Sequence, residues 1–176
     1  IEITTTSTTG YTTYKVESLV PETGATHNTS YKGYKYIKST DGYFYIRYYG
    51  KNKKTVTPPS VIAYGGKNYP IYEMFVVGDG SYGNESPNSE KIIIPEGVLD
   101  VWIAYFPNVT EIVLPKSLRK VRICQCPKLS KLVLPDGLKI IDYYGGYAPD
   151  LYALKEIDFP PSLEELGGYA FYRCGL

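Results

Sequence analysis

The chain has 176 residues, of which 43% are hydrophobic, and a formal net charge of +1. This size suits one domain with a hydrophobic core, and the nearly balanced charge gives no electrostatic basis for binding nucleic acid or an anionic membrane. No apolar run approaches the roughly 18 residues of a membrane span, and residues 1–20 lack a signal-peptide pattern, so a signal peptide is expected to be absent from this chain. The 20 Tyr, 17 Gly and 13 Pro favour strands and turns over helices.

Residues 1–30 are predicted to form a Thr-rich N-terminal linker or stalk. Threonine is the commonest residue at the start of this segment, and Pro21–Asn28 shows no apolar periodicity. Such a composition buries too little apolar surface to order itself. One strand near Tyr14–Val20 is the alternative for part of this region.

Residues 31–91 are predicted to form a β-hairpin cap with a degenerate first repeat and a flexible loop. Asp41-Gly42 lies between the aromatic runs Tyr34–Ile37 and Tyr43–Tyr48, which is a strong hairpin pattern. Further turns are expected at 50–53 and 65–68, and the loop at 78–90. A stack of repeats needs a terminal cap, and this region is suitably placed to provide one.

A four-residue phrase recurs in residues 92–176 and ends each time in proline. It reads Ile-Ile-Ile-Pro at 92–95, Ile-Val-Leu-Pro at 112–115, Leu-Val-Leu-Pro at 132–135 and Ile-Asp-Phe-Pro at 157–160. Its return at short, nearly regular intervals predicts a solenoid of stacked strands, whose extended surface suits recognition better than catalysis. Proline cannot donate a ladder hydrogen bond, so it is expected to end each strand.

Aligning the repeats on their prolines separates inward from outward positions. Residues two apart in a strand share a face, so the apolar columns that begin at Ile92 and Ile94 predict a core shared between turns. The residues before the strands alternate in charge and predict a ladder of ion pairs between neighbouring turns: Lys91, Glu111, Lys131 and Glu156. Arg122 and Asp142 are expected to form a similar pair.

The last turn, 157–176, resembles the BspA-like subclass of bacterial leucine-rich repeats. Its closing Ala170-Phe171-x-x-Cys174-x-Leu176 matches that subclass, and 56–75 resembles its degenerate first repeat. The predicted fold class is therefore a β-dominated leucine-rich-repeat solenoid, a right-handed superhelix of short parallel strands, with an N-terminal antiparallel β-hairpin cap. The resemblance implies an exported surface protein involved in adhesion, and no catalytic residues accompany this fold.

The residues that could carry chemistry do not form a recognisable catalytic or metal site. Cys124, Cys126 and Cys174 are accompanied only by His27, whereas structural zinc needs four ligands. Strand spacing places Cys126 and Cys174 about 10 Å apart, beyond disulfide reach, so buried core thiols are expected. The loop Asp79–Glu85 lacks the ligand spacing of a calcium site. No catalytic residue, metal or cofactor is predicted.

The aromatic residues of the repeats are the predicted ligand-binding surface. An insertion makes the third turn, from Pro135 to Pro160, longer than the two turns before it, and insertions on one face of a solenoid often form its binding face. Tyrosine supplies contact area at low entropic cost. The alternative is that the rings only pack against the scaffold. The ligand-binding residues predicted on this basis are Trp102, Tyr105, Tyr143, Tyr144, Tyr147, Tyr152, Tyr169 and Tyr172.

The expected function is that of a secreted or cell-surface adhesion module, extracellular and non-catalytic. Its expected partner is a host or cell-surface protein or glycan, with no nucleic acid and no membrane-spanning segment. One alternative is a structural spacer within a larger surface protein, with an edge-to-edge dimer through the C-terminal repeat. A second alternative is an uncharacterised enzyme.

Overall fold

The computed structural model describes residues 3–7, 12–16, 28–31, 34–38, 44–48, 54–64, 67–78, 88–143 and 149–176. Within these residues the backbone forms strands and turns and no helix, and no helix that could cross a membrane is therefore found there. The strands are β1 (Ile3–Ser7), β2 (Thr12–Val16), β3 (Asn28–Tyr31), β4 (Tyr34–Lys38), β5 (Phe44–Tyr48), β6 (Thr55–Val56), β7 (Val61–Tyr64), β8 (Lys67–Pro70), β9 (Glu73–Val77), β10 (Lys91–Ile93), β11 (Asp100–Ala104), β12 (Glu111–Val113), β13 (Lys120–Cys124), β14 (Lys131–Leu132), β15 (Ile140–Ile141) and β16 (Glu165–Leu166).

Two parallel sheets make up the repeats. Sheet I has the strand order β6-β10-β12-β14, and sheet II has the order β9-β11-β13-β15-β16. Ile92 is the register partner of Ile112 in sheet I, and Val101 is the partner of Val121 in sheet II. Each regular repeat thus adds one strand to each sheet, which confirms the predicted parallel-strand repeat architecture.

The hydrophobic core lies between the two sheets. Ile92, Val98, Val101 and Val109 come from one turn and have no exposed surface. One turn alone could not remove these side chains from water, but stacking lets neighbouring turns share a continuous core. The next turn fills the same columns with buried residues, namely Ile112, Leu118, Val121 and Leu129.

In the regular turns the proline marks the passage from sheet I to a tight turn. β10 ends at Ile93 and β12 at Val113, shortly before Pro95 and Pro115. The Pro115 carbonyl accepts a hydrogen bond from the Leu118 amide at 3.1 Å. Proline lacks a donor for the ladder but keeps its carbonyl, so the chain leaves the strand there without an unpaired amide.

The charge ladder on sheet I forms over three turns and not over four. Lys91 Nζ lies 2.9 Å from Glu111 Oε2, and Lys131 Nζ lies 2.8 Å from Glu111 Oε1. Both hydrogen bonds, the one from Lys131 first, lower the pKa of Glu111. The prediction for Glu156 is wrong, because residues 156–160 form no strand with β14. This is the turn that contains the insertion, and there the regular register of sheet I ends.

Antiparallel strands precede the repeats. β1 pairs with β2, and β4 pairs with both β3 and β5. β7 pairs with β8 across the predicted turn at 65–68. β5 lies beside β9, the first strand of sheet II. β6 and β9 join the two parallel sheets, so the parallel stack begins before residue 92.

Candidate binding surface

Trp102 and Tyr105 lie at sheet II and are half-buried. The Trp102 ring lies 4.2 Å from the Phe75 ring, measured between centroids. Its indole Nε1 donates a hydrogen bond to Cys124 Sγ at 3.5 Å. Tyr105 follows β11 and, with Trp102 and Phe75, packs against a small buried cluster of Val77, Ala104 and Cys124. A large part of each ring is therefore used to cover the outer face of sheet II.

Tyr143, Tyr169 and Tyr172 form a connected group of rings in the last two turns. The Tyr143 and Tyr169 centroids are 5.5 Å apart with an interplanar angle of 50°. Tyr169 and Tyr172 are 6.0 Å apart in an edge-to-face arrangement. Tyr169 and Tyr172 are 60% and 56% exposed, so both present much of their surface to solvent although Tyr169 contacts Tyr143 as well as Tyr172.

Tyr152 lies apart from this group, in a small polar cluster. Its hydroxyl donates a hydrogen bond to Asp150 Oδ1 at 2.8 Å, which is the main reason that the pKa of Tyr152 is raised. Arg173 Cζ lies 5.4 Å from the ring centroid, and Arg173 Nη1 lies 3.3 Å from Asp150 Oδ1. The Tyr152 ring therefore makes a cation–π contact with Arg173 of the same chain.

The structure thus divides the predicted surface into separate groups. Trp102 and Tyr105 belong to sheet II, Tyr143, Tyr169 and Tyr172 to the last two turns, and Tyr152 to its own cluster. Tyr144 and Tyr147, from the insertion, lie outside the described residues.

Phe159 and Phe171 were not predicted from the sequence as members of this surface. Their rings meet edge-on in the last turn, with centroids 5.7 Å apart. The Ala170-Phe171 pair in the sequence could have indicated Phe171. Phe159 could not have been found in this way, because the alignment of the repeats assigns it to a core column although it is 46% exposed.

A network of charges also crosses the outer face of sheet II. Arg122 Nη2 lies 3.1 Å from Asp100 Oδ2, and Arg122 Nε lies 3.3 Å from Asp142 Oδ2. Lys120 Nζ reaches the same Asp142 oxygen at 2.8 Å. The predicted Arg122–Asp142 pair is confirmed. Asp100 and Lys120 hold equivalent positions in successive repeats, so the alignment of the repeats could have identified them as two further members of the network. Glu73 falls outside the repeat period, and its place beside Asp100 follows only from the strand register.

The cysteines are core residues. Cys124 and Cys126 are buried, and Cys174 is half-buried; all three are free thiols. Burial raises the pKa of Cys126 to about 12, so this thiol stays protonated and is a poor nucleophile or metal ligand at neutral pH. No group of three or more His, Cys, Asp or Glu side chains suitable for a metal occurs in the described part of the chain. His27 and Asp79–Glu85 lie outside that part.

Comparison with solved structures identifies the fold as that of leucine-rich repeat proteins. A leucine-rich repeat protein of T. pallidum is similar with a TM-score of 0.59 and 24% identity, over 82% of this chain and 66% of that chain. A leucine-rich cell surface protein of Faecalibacterium prausnitzii A2-165 is similar with a TM-score of 0.51 and 14% identity, over 85% of this chain and 53% of that chain.

The chain spans slightly under two-thirds of the length of the first of these proteins and about half of the second. At these identities the likeness establishes the fold alone. No protein-family model matches the chain, and no curated protein does. The resemblance to the BspA-like subclass therefore stays a prediction.

Proposed function

We propose that this protein is a non-catalytic binding module that is secreted or displayed at the cell surface and recognises a protein or a glycan. The observation that carries the proposal is the group of exposed tyrosines in the last turn, Tyr169 and Tyr172, joined to Tyr143. Large rings that stay accessible on a rigid scaffold are typical of recognition surfaces, because tyrosine loses little conformational entropy on binding. The similar protein of Faecalibacterium prausnitzii is a cell surface protein, which supports the proposed localisation.

The proposed surface is centred on the last two turns. Tyr152, in its separate cluster with Asp150 and Arg173, is a proposed further member, and so are Tyr144 and Tyr147 of the insertion. Trp102 and Tyr105 contribute less, because each ring is half-buried at sheet II. BspA-like adhesion to a host or cell-surface partner is the specific form of this proposal.

A binding screen with paired variants tests this function. The 176-residue chain is assayed by biolayer interferometry against glycans, mucins and extracellular-matrix proteins. We expect Tyr169→Ala with Tyr172→Ala to weaken binding roughly tenfold or more, since exposed aromatic anchors dominate interface energies. Val133→Ala, at a similarly exposed residue directly after β14, should leave the affinity unchanged.

Two results of this screen would count against the proposal in different ways. If no probe binds at tens of micromolar, the binding function itself is contradicted. If a probe binds and the tyrosine double variant binds equally well, the function stands and the surface is wrongly placed. Circular dichroism of each variant shows whether a lost affinity reflects a lost fold.

We also propose the domain division made from the sequence, with a stalk at 1–30, a cap and degenerate first repeat at 31–91, and repeats at 92–176. In this proposal the antiparallel strands cap the stack at β9, beside which β5 lies. The entry of β6 and β9 into the parallel sheets supports the degenerate first repeat. A right-handed path of the superhelix is part of the same proposal.

A structural spacer is the alternative function, and one observation favours it. Phe159 and Leu166 stand in core columns but are 46% and 50% exposed in the last turn. Exposed apolar groups of this kind favour association with another turn or another copy. If the chain dimerises edge to edge here, sedimentation velocity should show a dimer that Leu166→Lys converts to a monomer. A monomeric parent chain at high micromolar concentration would contradict the dimer.

A further inference from the structure

The first strands of sheet II bring two carboxylates side by side. Glu73 of β9 is the register partner of Asp100 of β11, and Asp100 is the partner of Lys120 of β13. Their neighbours in sequence, Met74, Val101 and Val121, are in the core. Because successive residues of a strand face opposite sides, the three charged side chains share the outer face. Adjacent strands lie about 4.8 Å apart, so Glu73 and Asp100 are close neighbours.

Two cations of this face, Lys120 and Arg122, contact oxygens other than Asp100 Oδ1 and those of Glu73. Lys120 and Arg122 both contact Asp142 Oδ2, and the second contact of Arg122 is with Asp100 Oδ2. Asp100 Oδ1 is buried and receives no hydrogen bond among the described residues. Within those residues Glu73 has no ion pair either. Among the described residues, one buried acceptor thus lacks a donor, and the neighbouring carboxyl group has no ion-pair partner.

The electrostatics of Glu73 agree with this geometry. Burial, followed by the charge of Asp100, raises the pKa of Glu73 from 4.5 to about 7, against the opposing charges of Arg122 and Lys120. Burial also raises the pKa of Asp100. Two neighbouring carboxylates in a partly buried site resist being ionised together, which favours a proton on one of them.

We propose that Glu73 is protonated in the folded protein near neutral pH and donates its O–H to Asp100 Oδ1, forming a carboxyl–carboxylate hydrogen bond that ties β9 to β11. This bond satisfies the buried acceptor that no other described residue reaches. It joins the degenerate first repeat to the regular repeats. Loss of the proton replaces it with repulsion between two charges, so the junction weakens as the pH rises.

The charges that face Glu73 come from several strands. β11 contributes Asp100, β13 contributes Lys120 and Arg122, and β15 is followed by Asp142; β9 carries no other charge. Among the residues of β5, which lies beside β9, only Arg47 is charged. A cation paired with Glu73 would hold it ionised, and the experiment below detects that outcome.

The expected pH dependence follows from the direction of the shift. Between pH 4.5 and about 7 the folded chain keeps the Glu73 proton whereas the unfolded chain releases it. The contribution of Glu73 to stability is therefore complete below pH 4.5, falls as the pH rises through about 7, and is constant above that. Glutamine in its place offers an amide donor at every pH and cannot lose a proton.

Thermal unfolding of the 176-residue chain and of Glu73→Gln, measured from pH 4.5 to pH 8.5, tests this proposal. We expect the Tm of the variant to exceed that of the parent chain by at least about 3 °C at pH 8 and the difference to shrink towards pH 4.5. Glu165→Gln is the matched control. Glu165 stands in the same outward row but opposite Ile140, so its difference curve should be flat.

A direct titration keeps the proposal testable if Glu73→Gln fails to fold. Carboxyl carbon NMR of the parent chain should give a Glu73 midpoint well above that of exposed glutamates, and Asp100→Asn should lower it. A Glu73 midpoint near its ordinary value overturns the proposal, and so does a Glu73→Gln difference curve that is flat across the pH range.

Discussion

Leu118, Leu129, Leu138 and Leu154 lie between the two sheets without exposed surface. They come from neighbouring turns, and each completes the core of the turn before or after it. Val133 is close to Leu129 in the chain, but its side chain points away from the core and is 70% exposed. At this scale the period of the sequence decides which aliphatic side chain contributes to stability.

Truncating the two side chains should therefore have unequal effects. Leu129→Ala is expected to lower the free energy of unfolding by about 2–5 kcal/mol, since a cavity adds to the lost transfer free energy. Val133→Ala should change it by less than about 0.5 kcal/mol. Urea denaturation of both variants checks this, and similar losses would contradict the assigned faces.

A left-handed backbone conformation also recurs along the repeats, directly after β11 and β13 and again at 150 and 173. Among the described residues, several that are not glycine have a positive φ: Tyr105 (64°), Gln125 (51°), Asp150 (48°) and Arg173 (60°). Most residue types avoid this left-handed region at a cost of about 1–2 kcal/mol. The corner is therefore imposed by the strands and turns on either side, and the residue types alone do not predict it.

Sheet II depends on charge pairing as well as on apolar packing. The Arg122 guanidinium bridges Asp100 and Asp142, from the turns before and after its own. Burial alone would raise the pKa of Asp142, but the hydrogen bond from Lys120 and the charges of Lys120 and Arg122 lower it. The guanidinium thus joins three turns at one point, and its charge counteracts part of the desolvation of both carboxylates.

Removing this bridge should destabilise the sheet most at neutral pH. Arg122→Ala is expected to lower the free energy of unfolding by about 1–3 kcal/mol, between the values for exposed and buried ion pairs. The folded-state pKa of Asp142 is depressed, so its contribution exists above pH 3.8 and is lost as the pH falls. The loss caused by the substitution should therefore diminish towards pH 3.

Urea unfolding of Arg122→Ala at pH 7 and pH 3 measures this difference. Lys131→Ala is the control, because the Lys131 side chain is 67% exposed in its pair with Glu111 and such pairs contribute less than about 1 kcal/mol. A loss that is equal at both pH values would show that Arg122 acts through packing and not through charge.

The whole molecule contains a linear stack of turns, so stability depends on the neighbours of each turn. Among the described strands, β12 is paired on both sides, by β10 and β14, whereas β16 is paired with β15 alone. In such a stack the stability of a turn is close to its own contribution plus that of its two interfaces. A turn with one interface should open more often than a turn with two.

Hydrogen exchange should follow this arrangement. Amides in 108–124 are expected to exchange more slowly than amides in 160–176, after correction for intrinsic rates, because the first segment has neighbouring turns on both sides. Mass spectrometry of peptic peptides measures both segments in one experiment. Uniform exchange along 92–176 would indicate that the stack unfolds as one cooperative unit.

The architecture could be predicted from the proline-ended phrase because its period reports on strand stacking directly. Ile92 and Ile112 hold the same position in successive repeats and lie in register, as the alignment of the repeats implies. The strand that the phrase predicts at 157–160 is absent, although the residue types there are similar. A segment forms a strand only when a neighbouring strand lies within hydrogen-bonding distance. The residue types at 157–160 do not specify whether the insertion before them brings the chain back to that distance from β14.

Over the regular turns, periodicity alone was enough to predict the parallel stack, its core columns and its ion pairs, because these features repeat with the chain. Which aromatic rings meet and which stay exposed follows only from the folded structure. Tyr143, Tyr169 and Tyr172 form one group, while Trp102 packs on Phe75. The fold also places Glu73 beside Asp100 across an interval longer than the repeat period. Contacts across irregular intervals depend on how the chain returns to the sheet, and no local pattern encodes that path.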